Sequence, residues 1–122
     1  MKYLFLVYYE ESQINKMSQS DWDALNMECM AYGESIMGSG HRLGGEALEP
    51  THTATTVRVR SGKVSTTDGP FAETKEQLAG FYYVEAKDLN EAIQVASRIP
   101  PARFGSIEVR PVRSLVREHN SR

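Results

Sequence analysis

Two stretches of this chain are apolar on both faces of a strand, and they limit what it can fold into more than any other feature. Lys2–Tyr9 places Tyr3, Phe5, Val7 and Tyr9 on one side and Leu4, Leu6 and Tyr8 on the other. Gly80–Ala86 sets Phe81 and Tyr83 against Tyr82 and Val84. An antiparallel strand with one wet face alternates apolar and polar residues, so a strand with two apolar faces is covered twice. The hydrophobic pattern around these runs reads β-α-β, hairpin, β-α-β. That order predicts an α+β, ferredoxin-like sheet with an inserted β-hairpin, its first and third core strands central and its helices on one face only. The two doubly apolar runs fall at those central positions. The other face needs a cover that 122 residues do not supply. A partner subunit would supply it, so a homodimer is expected.

Local signals place the remaining elements. Glu10–Lys16 reads as a polar loop. The first helix is expected after Ser18 or Ser20, each with an Asp three residues on in the manner of a capping box. Trp22, Leu25, Cys29, Tyr32 and Ile36 then make one helical stripe, which Met30 and Met37 widen. Gly38-Ser39-Gly40 ends it. His41–Leu48 is a short strand whose Gly44-Gly45 points to a bulge or a close approach by another backbone. Ala54–Arg60 alternates cleanly, Ser61-Gly62 is a two-residue hairpin turn, and Lys63–Thr67 returns antiparallel. Asp88 caps a second helix with Glu91 at its third position; Leu89, Ala92, Ile93 and Ala96 form its stripe, and Pro100-Pro101 stops it. Gly105–Val112 is the last strand. Residues 1–112 make one domain, and 113–122 a polar tail expected to be partly disordered.

Composition removes several function classes. Hydrophobic content of 40% and charged content of 25% describe an ordinary globular chain. No apolar run approaches the ~20 residues of a membrane-spanning helix. The opening Tyr3–Tyr9 run is too short for a signal-peptide core. One cysteine, Cys29, allows no internal disulfide and agrees with a cytoplasmic setting. Six arginines and two acids lie in the last 25 residues of a chain with net charge −2, without aromatic interleaving. A solvated edge or intersubunit contact explains them better than nucleic acid. His41, His52 and His119 are scattered at no metal-ligand spacing, and no phosphate loop, serine elbow or Cys–His signature occurs, so no metal or cofactor is expected.

Candidate chemistry gathers at Asp68-Gly69-Pro70-Phe71-Ala72-Glu73-Thr74-Lys75-Glu76. A turn aspartate normally accepts from the N–H two residues on, and Pro70 has none. The Asp68 carboxylate is therefore left to the N–H of Phe71 or Ala72, a cation such as Lys75, water, or a ligand. Asp68, Glu73 and Lys75, with Arg58 and His41 on neighbouring elements, are the candidate ligand-binding residues. A carboxylate beside a His or Lys serves as general acid or base if burial shifts its pKa. The plainer reading makes Glu73, Lys75 and Glu76 a solvated loop face and His41 a half-buried strand-start residue.

The run DGPFAETKEQLAGFY resembles the signature of the DGPF-domain family within the YCII-related group. GGEAL at Gly44–Leu48, ATTVRVR at Ala54–Arg60, RIP at Arg98–Pro100 and IEVRP at Ile107–Pro111 follow in family order. The resemblance implies a ferredoxin-like domain that dimerises into an α/β barrel, in a family whose members are mostly uncharacterised. It also implies a place on helix one where YCII-type proteins carry a histidine that meets an aspartate. Counting back from GGEAL puts Cys29 there, so that dyad is not carried over. The reading that follows is a small molecule bound in a pocket of a dimeric barrel, with Asp68 as its polar anchor and any catalytic activity left open. The alternative is a non-enzymatic accessory or regulatory protein associated with an extracytoplasmic-function sigma factor system.

Overall fold

A computed structural model describes residues 1–116. Its elements are β1 (Lys2–Tyr9), α1 (Glu11–Ile14), α2 (Gln19–Gly38), β2 (Arg42–Ala47), β3 (Thr55–Arg60), β4 (Lys63–Asp68), β5 (Gln77–Glu85), α3 (Leu89–Ala96) and β6 (Ser106–Pro111), with single 3₁₀ turns at Thr51–Thr53 and Pro100–Arg103. Four strands form an antiparallel sheet in the order β2-β5-β1-β6, and β3 and β4 form a separate two-stranded ribbon. This is the ferredoxin-like α+β arrangement, with the two doubly apolar strands side by side at its centre. The expected loop at Glu10–Lys16 contains the short helix α1, started by Gln13 and Ile14 N–H groups donating to the Glu10 carbonyl. The tail expectation falls largely on residues 117–122, outside the described residues.

Register decides which face of each central strand meets the helices. Tyr3 pairs with Val84, Phe5 with Tyr82 and Val7 with Gly80, and direct partners in an antiparallel ladder share a face. Tyr3, Phe5, Val7 and Val84 are buried against Tyr32, Ile36, Ala92, Val95, Ala96 and Ile99, which makes this the core. Burying a large apolar side chain is worth ~1.5–3 kcal/mol, so these residues hold the helices down. The opposite face carries Leu4, Leu6, Phe81 and Tyr83, paired as Leu4–Tyr83 and Leu6–Phe81. No described helix covers it, and these four remain half-buried.

Both long helices begin as their caps require. Ser18 Oγ accepts from Asp21 N–H at 3.1 Å, and Asp88 Oδ1 accepts from Glu91 N–H at 2.9 Å. Their buried stripes are narrower than expected. On α2, Leu25, Tyr32, Gly33 and Ile36 are buried, while Met30 and Met37 are exposed. Each methionine follows a stripe residue by one position, and one residue turns an α-helix by about 100°. On α3 the stripe is Ala92, Val95 and Ala96, with Leu89 and Ile93 exposed. The small alanines let α3 lie close to the sheet, and Val95, not Ile93, points into the contact.

The β3–β4 ribbon turns through Ser61 (φ 51°) and Gly62 (φ 74°), both in the left-handed region that a tight two-residue hairpin needs. Its apolar face is outward: Val57, Val59 and Val64 are 60%, 56% and 69% exposed, whereas Arg58 on the other face is half-buried.

Candidate functional site

The candidate residues do not converge. His41 sits where α2 gives way to β2, its Nδ1 2.7 Å from Ser39 Oγ and its Nε2 3.4 Å from a Glu91 carboxylate oxygen. Glu91 also accepts from the Lys87 N–H, which together with His41 holds its carboxyl below the ordinary carboxylate value. That cluster fastens the start of α3 to the start of β2. Arg58 lies in the ribbon, half-buried and without a carboxylate partner among the described residues. Glu73 and Lys75 line a broad groove of about 1310 Å³ under the Pro70–Leu78 segment. Both are exposed.

Asp68 is exposed at the end of β4, and its carboxylate has no hydrogen-bond or ion partner among the described residues. An anchor directed into a pocket is not what the single chain presents. The ladder explains this. Asp68 pairs with Thr55, and the next residue stays tied: Gly69 N–H donates to Ala54 O at 2.7 Å, and Thr56 Oγ1 donates to Gly69 O at 2.8 Å. Held as a ladder residue, Asp68 follows Thr55, Val57 and Val59 onto the outward face. The loop beyond it is tied by uncharged groups. Gln77 Nε2 donates to Thr74 O at 2.6 Å, and Gln77 Oε1 accepts from Glu11 N–H at 2.9 Å.

The better-formed cavity lies elsewhere, between α2 and the β2–β5 half of the sheet, with a volume of about 570 Å³. Its floor exists because the helix-facing positions there carry almost no side chain. Gly45 pairs with Tyr82 and Ala47 with Gly80, so three of these four neighbours are glycine or alanine. Close pairing demands the glycines: a Cβ on Gly45 would lie 2.7 Å from Phe81 O, and one on Gly80 2.9 Å from Glu46 O. Buried Val7, Leu25, Ile99 and Pro101 form the apolar wall, and Trp22, Met30 and Leu48 stand at the edge. The groove under Pro70–Leu78, by contrast, is walled chiefly by exposed loop residues.

The half-buried polar groups of this cavity are Tyr9, Asn26, Cys29, Arg42 and Tyr82. Burial, the largest cause in each case, raises the pKa of the Tyr9 and Tyr82 hydroxyls and of the Cys29 thiol. Neighbouring Glu28 pushes the thiol up further, and Arg103 only partly opposes this. All three groups keep their protons at neutral pH. Cys29 is thus a thiol, not a poised thiolate. It stands on the Leu25–Tyr32–Ile36 stripe but half-buried at the cavity wall.

Arg42 completes the set. Its guanidinium lies over α2 where Gly33 leaves room, for a Cβ there would come within 3.2 Å of Nη1. Among the described residues its one hydrogen bond is a long one, Nη2 to Gly45 O at 3.4 Å. No carboxylate lies within ion-pair distance among the described residues, although exposed Glu34 and Glu46 stand at the rim. Tyr82, whose ring meets Tyr32 edge-on at 5.2 Å, has its hydroxyl pKa opposed downward by the Arg42 charge. Sequence reasoning missed Arg42, Tyr9 and Tyr82. The Gly44-Gly45 pair was the available signal, because a close backbone approach opposite a long helix leaves a void.

Among the described residues, no three His, Cys, Asp or Glu side chains are grouped to hold a metal ion. No described helix is long and apolar enough to cross a membrane. The YCII-related domain family matches residues 1–116. An uncharacterised protein of Rhizobium meliloti (strain 1021) is 38% identical over 115 residues, which covers 92% of each chain.

Proposed function

The chain belongs to the YCII-related domain family, and from that footing we propose that it binds a small molecule in the cavity beneath α2, as one half of a homodimeric α/β barrel in the cytoplasm. One observation carries the binding reading: a cavity of about 570 Å³ with apolar walls and a few inward polar groups. Ligand sites of ~300–1,000 Å³ have this composition. The polar groups favour binding over bond-making chemistry. The hydroxyls and the thiol hold their protons, so they are hydrogen-bond donors, and no half-buried carboxylate or histidine among the described residues lines the cavity to act as a base.

The homodimer is supported by the uncovered sheet face of Leu4, Leu6, Phe81 and Tyr83 and by the outward valines of the ribbon. A second copy of the same chain offers a matching apolar face. An accessory role beside a sigma factor would draw on the same exposed ribbon, and a dimer that covers it would leave that role without a surface.

The test of binding is native mass spectrometry of the purified protein, followed by denaturation and identification of whatever is released. A stoichiometric small molecule in the wild type that is lost from Cys29→Phe, whose ring intrudes from the cavity wall, is the expected result. Retention of the same molecule by a folded Cys29→Phe variant would place its site elsewhere.

A further inference from the structure

The cavity beneath α2 holds more than a shape. Its half-buried polar groups donate: two tyrosine hydroxyls, a thiol, the Asn26 amide and the Arg42 guanidinium. The two hydroxyls and the Asn26 amide oxygen can also accept, but none of these half-buried groups carries a negative charge. Arg42 is the decisive member. A half-buried guanidinium normally finds a carboxylate, yet among the described residues this one has a single 3.4 Å contact, to a carbonyl. The carboxylates of Glu34 and Glu46 stay at the exposed rim, beyond ion-pair reach. The chain has gone to some length to place that cation: buried Gly33 on α2 is the gap into which it packs. The walls around it are Val7, Leu25 and Ile99, which offer nothing to a polar ligand body.

Resting on the binding reading above, we propose that the ligand is a monocarboxylate with an apolar body, its carboxylate received by the Arg42 guanidinium and the Tyr82 hydroxyl. A guanidinium offers paired N–H groups that match the two oxygens of a carboxylate. A charge-assisted bond of this kind is stronger than one between neutral groups. The rim glutamates add selection. A second carboxylate on the ligand would face Glu34 and Glu46, so dicarboxylates are disfavoured by like-charge repulsion.

Trp22 is the single tryptophan and stands at the cavity edge, so its emission reports occupancy without a label. The probes are 4-phenylbutyrate, its neutral amide 4-phenylbutyramide, and phenylsuccinate as the dianion. Wild-type protein is expected to bind phenylbutyrate saturably, and the amide and the dianion about tenfold or more weaker. Arg42→Met keeps the stem over Gly33 and removes the charge. It should weaken phenylbutyrate about tenfold or more and the amide by a much smaller factor, so that the two bind nearly alike. Tyr82→Phe, which keeps the ring against Tyr32, should weaken phenylbutyrate by a smaller factor, and it serves as the test if Arg42→Met does not fold. Equal binding of carboxylate and amide to wild type would overturn the anchor and leave the cavity's binding role standing. Absence of binding by all three probes, with the fold intact, would overturn both.

Discussion

The Tyr32 hydroxyl donates to the Val95 carbonyl at 2.8 Å in the buried core, and this bond fastens the middle of α2 to the end of α3. Burial pushes the Tyr32 pKa well above its ordinary value of 10.0, with Tyr82 adding to the rise. Tyr32→Phe keeps the ring and loses the bond. It should cost about 0.5–1.5 kcal/mol in denaturant unfolding. The pH dependence has a definite sign. A raised folded-state pKa means that Tyr32 stabilises the fold fully below pH 10.0 and loses that contribution as pH climbs toward the folded value. Wild type should therefore lose stability more steeply than Tyr32→Phe above pH 10.0, and parallel curves would contradict this.

Gly45 is the tightest point of the cavity floor. An added methyl would meet the Phe81 carbonyl at 2.7 Å and the Tyr82 ring at 3.2 Å. A backbone atom cannot step aside as a side chain can. Gly45→Ala should destabilise the protein by about 1–3 kcal/mol, whereas Gly44→Ala, with open space around it, should cost under about 1 kcal/mol. Thermal unfolding of the two variants side by side checks the contrast.

The dimer prediction rests on Tyr83. It shares the uncovered face with Leu4, its ladder partner, while neighbouring Tyr82 points to the helices. Light scattering at micromolar concentration should give the mass of two chains for wild type. Tyr83→Asp should shift it toward one chain with little change in helix content. A wild-type mass of one chain would exclude the barrel.

Cys29 should react slowly with a thiol reagent at neutral pH, because its pKa is raised and the thiol is half-buried. Labelling should accelerate as pH rises through the thiol's elevated pKa. Phenylbutyrate, if it occupies the cavity, should slow labelling further. Rapid stoichiometric labelling at pH 7 would show the thiol to be ionised or open to solvent.

The sequence by itself determined the architecture. Period-two runs, two capping motifs and a Ser-Gly turn are local signals, and each needs only its neighbours in the chain to act. The doubly apolar strands fit the central places, where a strand is flanked by neighbours on both edges and least of its surface meets water. What lay beyond local reading was which face each residue joined and what that left empty. Tyr82 and Tyr83 are both aromatic and adjacent; pairing with Phe5 sends one to the core, and pairing with Leu4 sends the other to the open face. Asp68 was singled out because Pro70 removes its usual partner, but the bond from Gly69 N–H to the Ala54 carbonyl, across the ribbon, keeps it in the ladder and turns it outward. The cavity is an absence of side chains where Gly45, Ala47 and Gly80 meet under α2. A void belongs to no residue. It arises only when tertiary packing brings three small side chains from two strands beneath one helix, and there Arg42 stands without a carboxylate partner among the described residues.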